Sequence, residues 1–295
     1  MSPQHDAALH RRGILITGLG GLALSFDIPL IHAAGGNIWS VVALRSTCTF
    51  VTAILIWLVM TRLMNWRISL LPGRAGLLAG ILYGVDSLVF FLAVFNTSTA
   101  NVVFILAFTS MFSAFLSWIF LKERPSNATL VTMAAMVVGV GIIVRGGLES
   151  GHLFGDAMAL LAAFLLAAAI TASRASRADM GLVPLITTII PATVGFIMIS
   201  GDGLQIAHPA FTLFNGIVII PLAFYCLATG PRFLTGPEVA MFYLLETVLA
   251  PIWVWLFFSE EPSRDTLVGG AILIAALVGH SLWQMARRPR AVPAP

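Results

Sequence analysis

Lysine occurs once in these 295 residues, at Lys122, and all charged residues together make up only 10% of the chain. A soluble domain carries about 25%. With 59% hydrophobic residues and a mean hydropathy of +0.97, the chain has too little polar surface to cover itself in water, which excludes an arrangement of soluble domains. Cysteine is nearly absent too. Cys48 and Cys226 each lie in an apolar stretch, with no CxxC and no histidine at ligand spacing, so they read as small buried side chains. His32 and His280 stand near span ends without partners at metal-ligand spacing, and no metal site or cofactor is expected. There is no nucleotide-binding loop, no HExxH and no GxSxG, so ATP drive and the familiar hydrolase chemistries are missing. An intramembrane aspartyl enzyme is disfavoured because Asp86 stands in Tyr83-Gly-Val-Asp86 rather than in GxGD.

What is present is a series of apolar runs bounded by Gly, Pro, Asn and charge. They predict an all-α membrane protein of ten transmembrane helices, near 13–34, 38–61, 75–96, 99–121, 127–145, 153–174, 182–200, 211–230, 238–258 and 267–285. Ten spans at about 20 residues each leave only short connections. The sequence pI near 9.3 implies no nucleic-acid partner, because the arginines come one to three at a time between the runs. Arg11 and Arg12, then Arg62, Arg67 and Arg74, Lys122 and Arg124, Arg174 and Arg177, Arg232, and Arg287, Arg288 and Arg290 share one side, and only Arg145 and Arg264 fall on the other. By the positive-inside rule both termini are cytoplasmic. Arg11-Arg12 before an apolar run ending at Ala33-Ala34 has the outline of a cleavable signal. That run is too long, however, and Asp27 interrupts it.

Shifting the chain by 137 positions lays Trp118-Ile-Phe-Leu-Lys-Glu-Arg-Pro-Ser-Asn-Ala-Thr-Leu-Val131 on Trp255-Leu-Phe-Phe-Ser-Glu-Glu-Pro-Ser-Arg-Asp-Thr-Leu-Val268 with eight identities. Gly18 then falls on Gly155 and Ala134 on Ala271. Two five-helix repeats follow, over 1–147 and 148–295. Because five is odd the repeats are inverted, a device by which two arrangements of the halves open one site alternately to each side.

A duplicated unit whose fourth and ninth helices end in Phe-Leu-Lys-Glu-Arg-Pro and Phe-Phe-Ser-Glu-Glu-Pro resembles the EamA-type drug/metabolite transporters over the whole chain. Among them it is most similar in size and topology to bacterial amino-acid and metabolite exporters, of which YddG-like proteins are one branch. The resemblance implies a multi-pass protein of the bacterial inner membrane. It departs from that family in lacking the proline often found midway along the fourth helix, whereas the ninth has Pro251, so a proline kink is expected in one half only.

Charge inside the spans marks the candidate site. Asp27, Arg45, Asp86 and Glu246 each cost about 2.5 to 3.5 kcal/mol at a bilayer centre and must face water or one another. Asp27 and Arg45 lie at similar depth, about 10 Å below one surface at 1.5 Å per residue. They form either a structural pair between the first two helices or a binding pair in which Arg45 holds a substrate carboxylate. Pro29 leaves a nearby carbonyl without its helical donor. Asp86 falls near the midplane with Tyr83 on its face, and Glu246 has Tyr243 at the same spacing. Such a lining suits an ammonium group or a ring, and the two acids are candidate proton carriers. Glu123 and Glu260, at helix ends, read as caps, loop anchors or an inter-helix gate. Gly76, Gly80 and Gly84 read as a close-packing stripe, and Trp39, Trp66 and Trp283 as interfacial anchors.

Three intramembrane acids and one arginine argue against doubly charged phosphates. The function expected is secondary transport, as an exporter of small zwitterionic metabolites, amino acids foremost, by alternating access between the repeats. The alternative is an exporter of cationic drugs by proton antiport, with a channel or scaffold behind it. The partners expected are the lipid bilayer and a small-molecule substrate, with the chain acting as a monomer.

Overall fold

The computed structural model describes residues 3–62, 69–176, 180–199, 201, 203–229, 233–234 and 236–287. Trp66, Arg67, Arg177, Arg232, Arg288 and Arg290 lie outside them. Among the described residues the chain is entirely helical. The elements are α1 (Pro3–Leu24), α2 (Asp27–Ala34), α3 (Ile38–Arg62), α4 (Gly73–Val94), α5 (Thr99–Leu106), α6 (Thr109–Leu121), α7 (Asn127–Ser150) and α8 (Leu153–Ser176). They continue as α9 (Val183–Ile186), α10 (Ile189–Ile199), α11 (Pro209–Phe214), a π-helical turn (Asn215–Ile219), α12 (Ile220–Thr229), α13 (Gly236–Phe258) and α14 (Arg264–Arg287). Helix occupies each of the ten apolar segments. Eight are long and apolar enough to cross a membrane, and Val183–Ile199 and Phe242–Phe258 are shorter apolar helices. Large side chains such as Leu15 (65% exposed), Phe120 (71%) and Val131 (70%) face outward, which a protein in water would not tolerate over so much of its surface.

Several segments are interrupted, and proline explains most of the breaks. A proline has no N–H for the carbonyl four residues earlier, and its ring crowds that carbonyl. The break between α1 and α2 falls at Ser25-Phe26, four residues before Pro29; that between α9 and α10 falls at Thr187-Thr188, before Pro191. The π turn precedes Pro221, and its extra residue is taken up by a bond from the Ile220 N–H to the Asn215 carbonyl. The ninth segment, α13, keeps continuous helix around its Pro251, and the fourth is interrupted at Ala107-Phe108 although it has no proline. There the Ser110 hydroxyl donates to the Ala107 carbonyl at 3.0 Å, a side-chain bond that competes with the helical ladder.

The helices bury two apolar clusters. One gathers Ile28, Val41, Phe91, Ile105, Ile143 and Leu273, the other Leu24, Ala53, Leu185, Ile220 and Leu227. Gly80 and Gly84 do face a neighbour: a Cβ there would stand 2.7 Å from Thr187 Cγ2 and 2.5 Å from Ile190 Cδ1. α7 and α14 cross most tightly at Gly139 and Gly269, where a Cβ on either would meet the other's carbonyl oxygen.

Candidate functional site

The break before Pro29 sets Asp27 at the first residue of α2, where it meets α3. Arg45 Nη2 donates to both Asp27 carboxylate oxygens at 2.8 Å, and its guanidinium carbon lies 4.9 Å from the centre of the Phe91 ring. The two residues are 4% and 6% exposed. Asn215, fully buried on the π turn, donates from Nδ2 to Asp27 Oδ1 at 2.8 Å and to the Asp27 carbonyl at 3.1 Å. Asn215 Oδ1, Arg45 Nε and Ser46 Oγ are buried here without partners among the described residues. Sequence reasoning weighed charges and so missed Asn215. An amide inside an otherwise apolar run was the available signal.

α13 brings Glu246 within electrostatic range of both Asp27 and Arg45. One turn earlier, Tyr243 faces Tyr83 of α4 as well as Glu246. Tyr83 in turn is within electrostatic range of Asp86 and hydrogen-bonds with Ser173 of α8. The six residues expected to form the site therefore make one chain of neighbours, Asp86–Tyr83–Tyr243–Glu246–(Asp27, Arg45), drawn from four segments. Tyr83, Asp86, Tyr243 and Glu246 sit deep in the molecule, yet each keeps accessible surface, Tyr243 as much as 44%. Among the described residues Asp86 and Glu246 have no ion-pair partner in contact, so water or a ligand must satisfy them.

Beyond Glu246 the same face of α13 carries Trp253 and Phe257. The Trp253 ring stacks on Phe26 with centroids 5.1 Å apart and its indole N–H donates to Ser25 Oγ at 3.1 Å. Trp253 and Phe257 are stacked at 6.3 Å. This aromatic ladder leads from the acids to Glu260. Glu260 Oε1 accepts the Thr99 backbone N–H at 2.7 Å, and the Thr99 hydroxyl lies 3.1 Å from His32 Nε2. Beside it a fully buried carboxylate, Asp156, accepts from Thr97 at 2.6 Å and from Asn101 at 3.0 Å, while Thr266 donates to Asn101 Oδ1 at 2.6 Å. This second network also escaped sequence reasoning, since Asp156 in a first helical turn reads as interfacial. Far from it, a cavity of about 530 Å³ at the end of α6 is lined by Trp118, Ile119, Lys122 and Arg124. It holds none of the six site residues.

Residues 11–145 match the EamA-like transporter family. No curated protein matches the sequence. A solved protein, described only as "Crystal structure of protein", is similar at a TM-score of 0.65 and 17% identity over 94% of this chain and 99% of that one; at such identity the likeness is one of fold. Residues 11–145 are therefore an EamA-like transporter unit, and with eight described helices long and apolar enough to cross a membrane the chain is a multi-pass membrane protein of the drug/metabolite transporter type.

Proposed function

We propose that the chain is a secondary exporter of small zwitterionic metabolites, amino acids foremost, working by alternating access at the space lined by Tyr83, Asp86, Tyr243 and Glu246. The observation that carries the reading is the convergence of these groups, deep but accessible, beside the Asp27–Arg45 pair. A zwitterion needs both signs within a few ångström. Glu246 and Asp86 suit the ammonium group, the tyrosine rings its apolar flank, and Arg45 the carboxylate once its bond to Asp27 is exchanged. The cationic-drug reading keeps one observation in its favour: while Asp27 occupies Arg45, the remaining acids and the Phe26–Trp253 stack suit a positive, aromatic substrate.

Ten spans in two inverted repeats, 1–147 and 148–295, belong to the same proposal, with both termini in the bacterial cytoplasm. The packing supports a twofold exchange of halves. α4 packs on α8 as α1 does on α12, and α6 on α8 as α13 does on α1, while α3 meets α10 and α7 meets α14. In the 137-position register the last two are pairs of equivalents. An odd number of spans per half sets the axis in the membrane plane. A reporter fused after Pro295 that signals outside the cytoplasm would overturn the orientation.

The deciding experiment is counterflow of a labelled amino-acid panel in proteoliposomes. Wild-type protein is expected to give saturable counterflow, and Asp86→Asn or Glu246→Gln to lower it by about tenfold or more through loss of a charge-assisted bond, with folded protein recovered unchanged. Undiminished saturable flux in both variants sinks the site. Flux of organic cations alone selects the second reading.

A further inference from the structure

The two corners that follow α6 and α13 repeat each other in detail. Each opens on a left-handed residue, Lys122 at φ 60° and Ser259 at φ 57°, followed by Glu-Arg-Pro-Ser or Glu-Glu-Pro-Ser. Ser126 Oγ accepts the Thr129 N–H at 3.2 Å and Ser263 Oγ accepts that of Thr266 at 3.1 Å. The paired hydroxyls stand 2.9 and 2.8 Å apart. With the corners so alike, what differs is what they hold. Glu260 takes the first turn of α5, accepting the Thr99 N–H at 2.7 Å and the Thr99 hydroxyl at 3.2 Å, and Thr266 reaches across to Asn101. Glu123 is turned away, with both oxygens on Arg174 Nη2 at 2.9 and 3.1 Å, and the two side chains are about half exposed.

From this inequality we infer that Glu260 and Glu123 are alternate latches, each closing one end of the transport path. The inference rests on the alternating-access reading above. In the register of 137 the counterpart of Thr99 is Gly236, which begins α13. In the opposite state Glu260 releases the Thr99 N–H and Glu123 leaves Arg174 for the Gly236 N–H. The exchange needs no matching side chain, because a carboxylate on the free N–H groups of a helix start is stabilised by backbone donors and the helix dipole alone. α5 can move as a unit because the chain is broken at Ala107-Phe108. Asp156 gives the Glu260 end an added tie through Asn101; its counterpart in the register is Leu19, so the Glu123 latch lacks that bond and the state described here is favoured.

The test is a pair of spin labels at Asn96 and Glu261, two exposed residues flanking the Glu260 latch, in a Cys48→Ala, Cys226→Ala background in lipid nanodiscs. Two distances are expected in the parent protein, the shorter dominant. Glu260→Gln should raise the ratio of long to short by about tenfold, the weight of one charge-assisted bond, and Glu123→Gln should lower it. Thr99→Pro is a second variant for the same latch. It deletes the N–H and hydroxyl together at a first-turn position where proline fits, and Ser98 already has the extended backbone that precedes proline. It should act as Glu260→Gln does. Two parental distances whose ratio ignores Glu260→Gln and Thr99→Pro overturn the latch, and so does a shift in the same direction by Glu260→Gln and Glu123→Gln, which general loosening would give. A single distance in the parent and every variant overturns alternating access itself.

Discussion

At the end of the bundle where Glu260 lies, helices are joined by polar groups withdrawn from solvent: Asp27 with Arg45 and Asn215, and Asp156 with Thr97, Asn101 and Thr266. At the Glu123 end, the ion pair of Glu123 with Arg174 is open to water, and Thr129 bonds within its own corner. The residue types are much the same at both ends; the surroundings differ. A buried polar contact costs little while complete and a great deal once one partner is removed, because the survivor is stranded in a poor solvent. An exposed pair loses little, since water replaces the missing partner. The first end should therefore be stiff and sensitive to substitution, the second compliant.

The sharpest way to break that comparison is Asp27→Ala. It leaves the Arg45 guanidinium buried without a counter-charge and should cost about 3–5 kcal/mol, seen as loss of monodisperse protein and a lowered thermal transition in detergent. The double variant Asp27→Asn, Arg45→Gln should lose less than Asp27→Ala, since no charge is stranded; if it loses as much, the pair's worth lies in something other than compensated charge. Next in size is Asn101→Leu, which takes one donor from Asp156 and the acceptor from Thr266. Each stranded group is worth about 1–3 kcal/mol, measured by the same thermal transition. Arg174→Ala at the opposite end should cost no more than about 1 kcal/mol. A loss there as large as that of Asn101→Leu would erase the distinction between the ends.

The positions of the interruptions show how far sequence alone reaches. Proline rules place the breaks before Pro29 and Pro191 and the π turn before Pro221, because each needs only the missing N–H. They do not reach Ala107-Phe108, where the helix breaks without proline. There a serine hydroxyl competes for a backbone carbonyl. The serine is visible in the sequence, but a serine in a helix does not by its presence break the ladder, so the break itself is read only from the structure.

The candidate site divides in the same way. Asp27, Arg45, Asp86 and Glu246 stand out because charge in an apolar run is costly wherever the run is placed, and Tyr83 and Tyr243 follow from helical spacing. Asn215 is marked only as an amide in an apolar run, a weaker signal than charge, and Asp156 and Asn101 sit near helix ends, where a polar residue reads as interfacial. The helical class, the position of each apolar segment and the paired Glu-x-Pro-Ser corners are thus properties of the sequence itself, set by hydrophobic length, charge and repetition. Which residues meet across helices, that Asp27 closes on Arg45 and Asn215 together, and that Glu260 is engaged with Thr99 while Glu123 is not, were decided only by the tertiary structure, because contacts between distant segments depend on how the helices pack and not on any pattern within one of them.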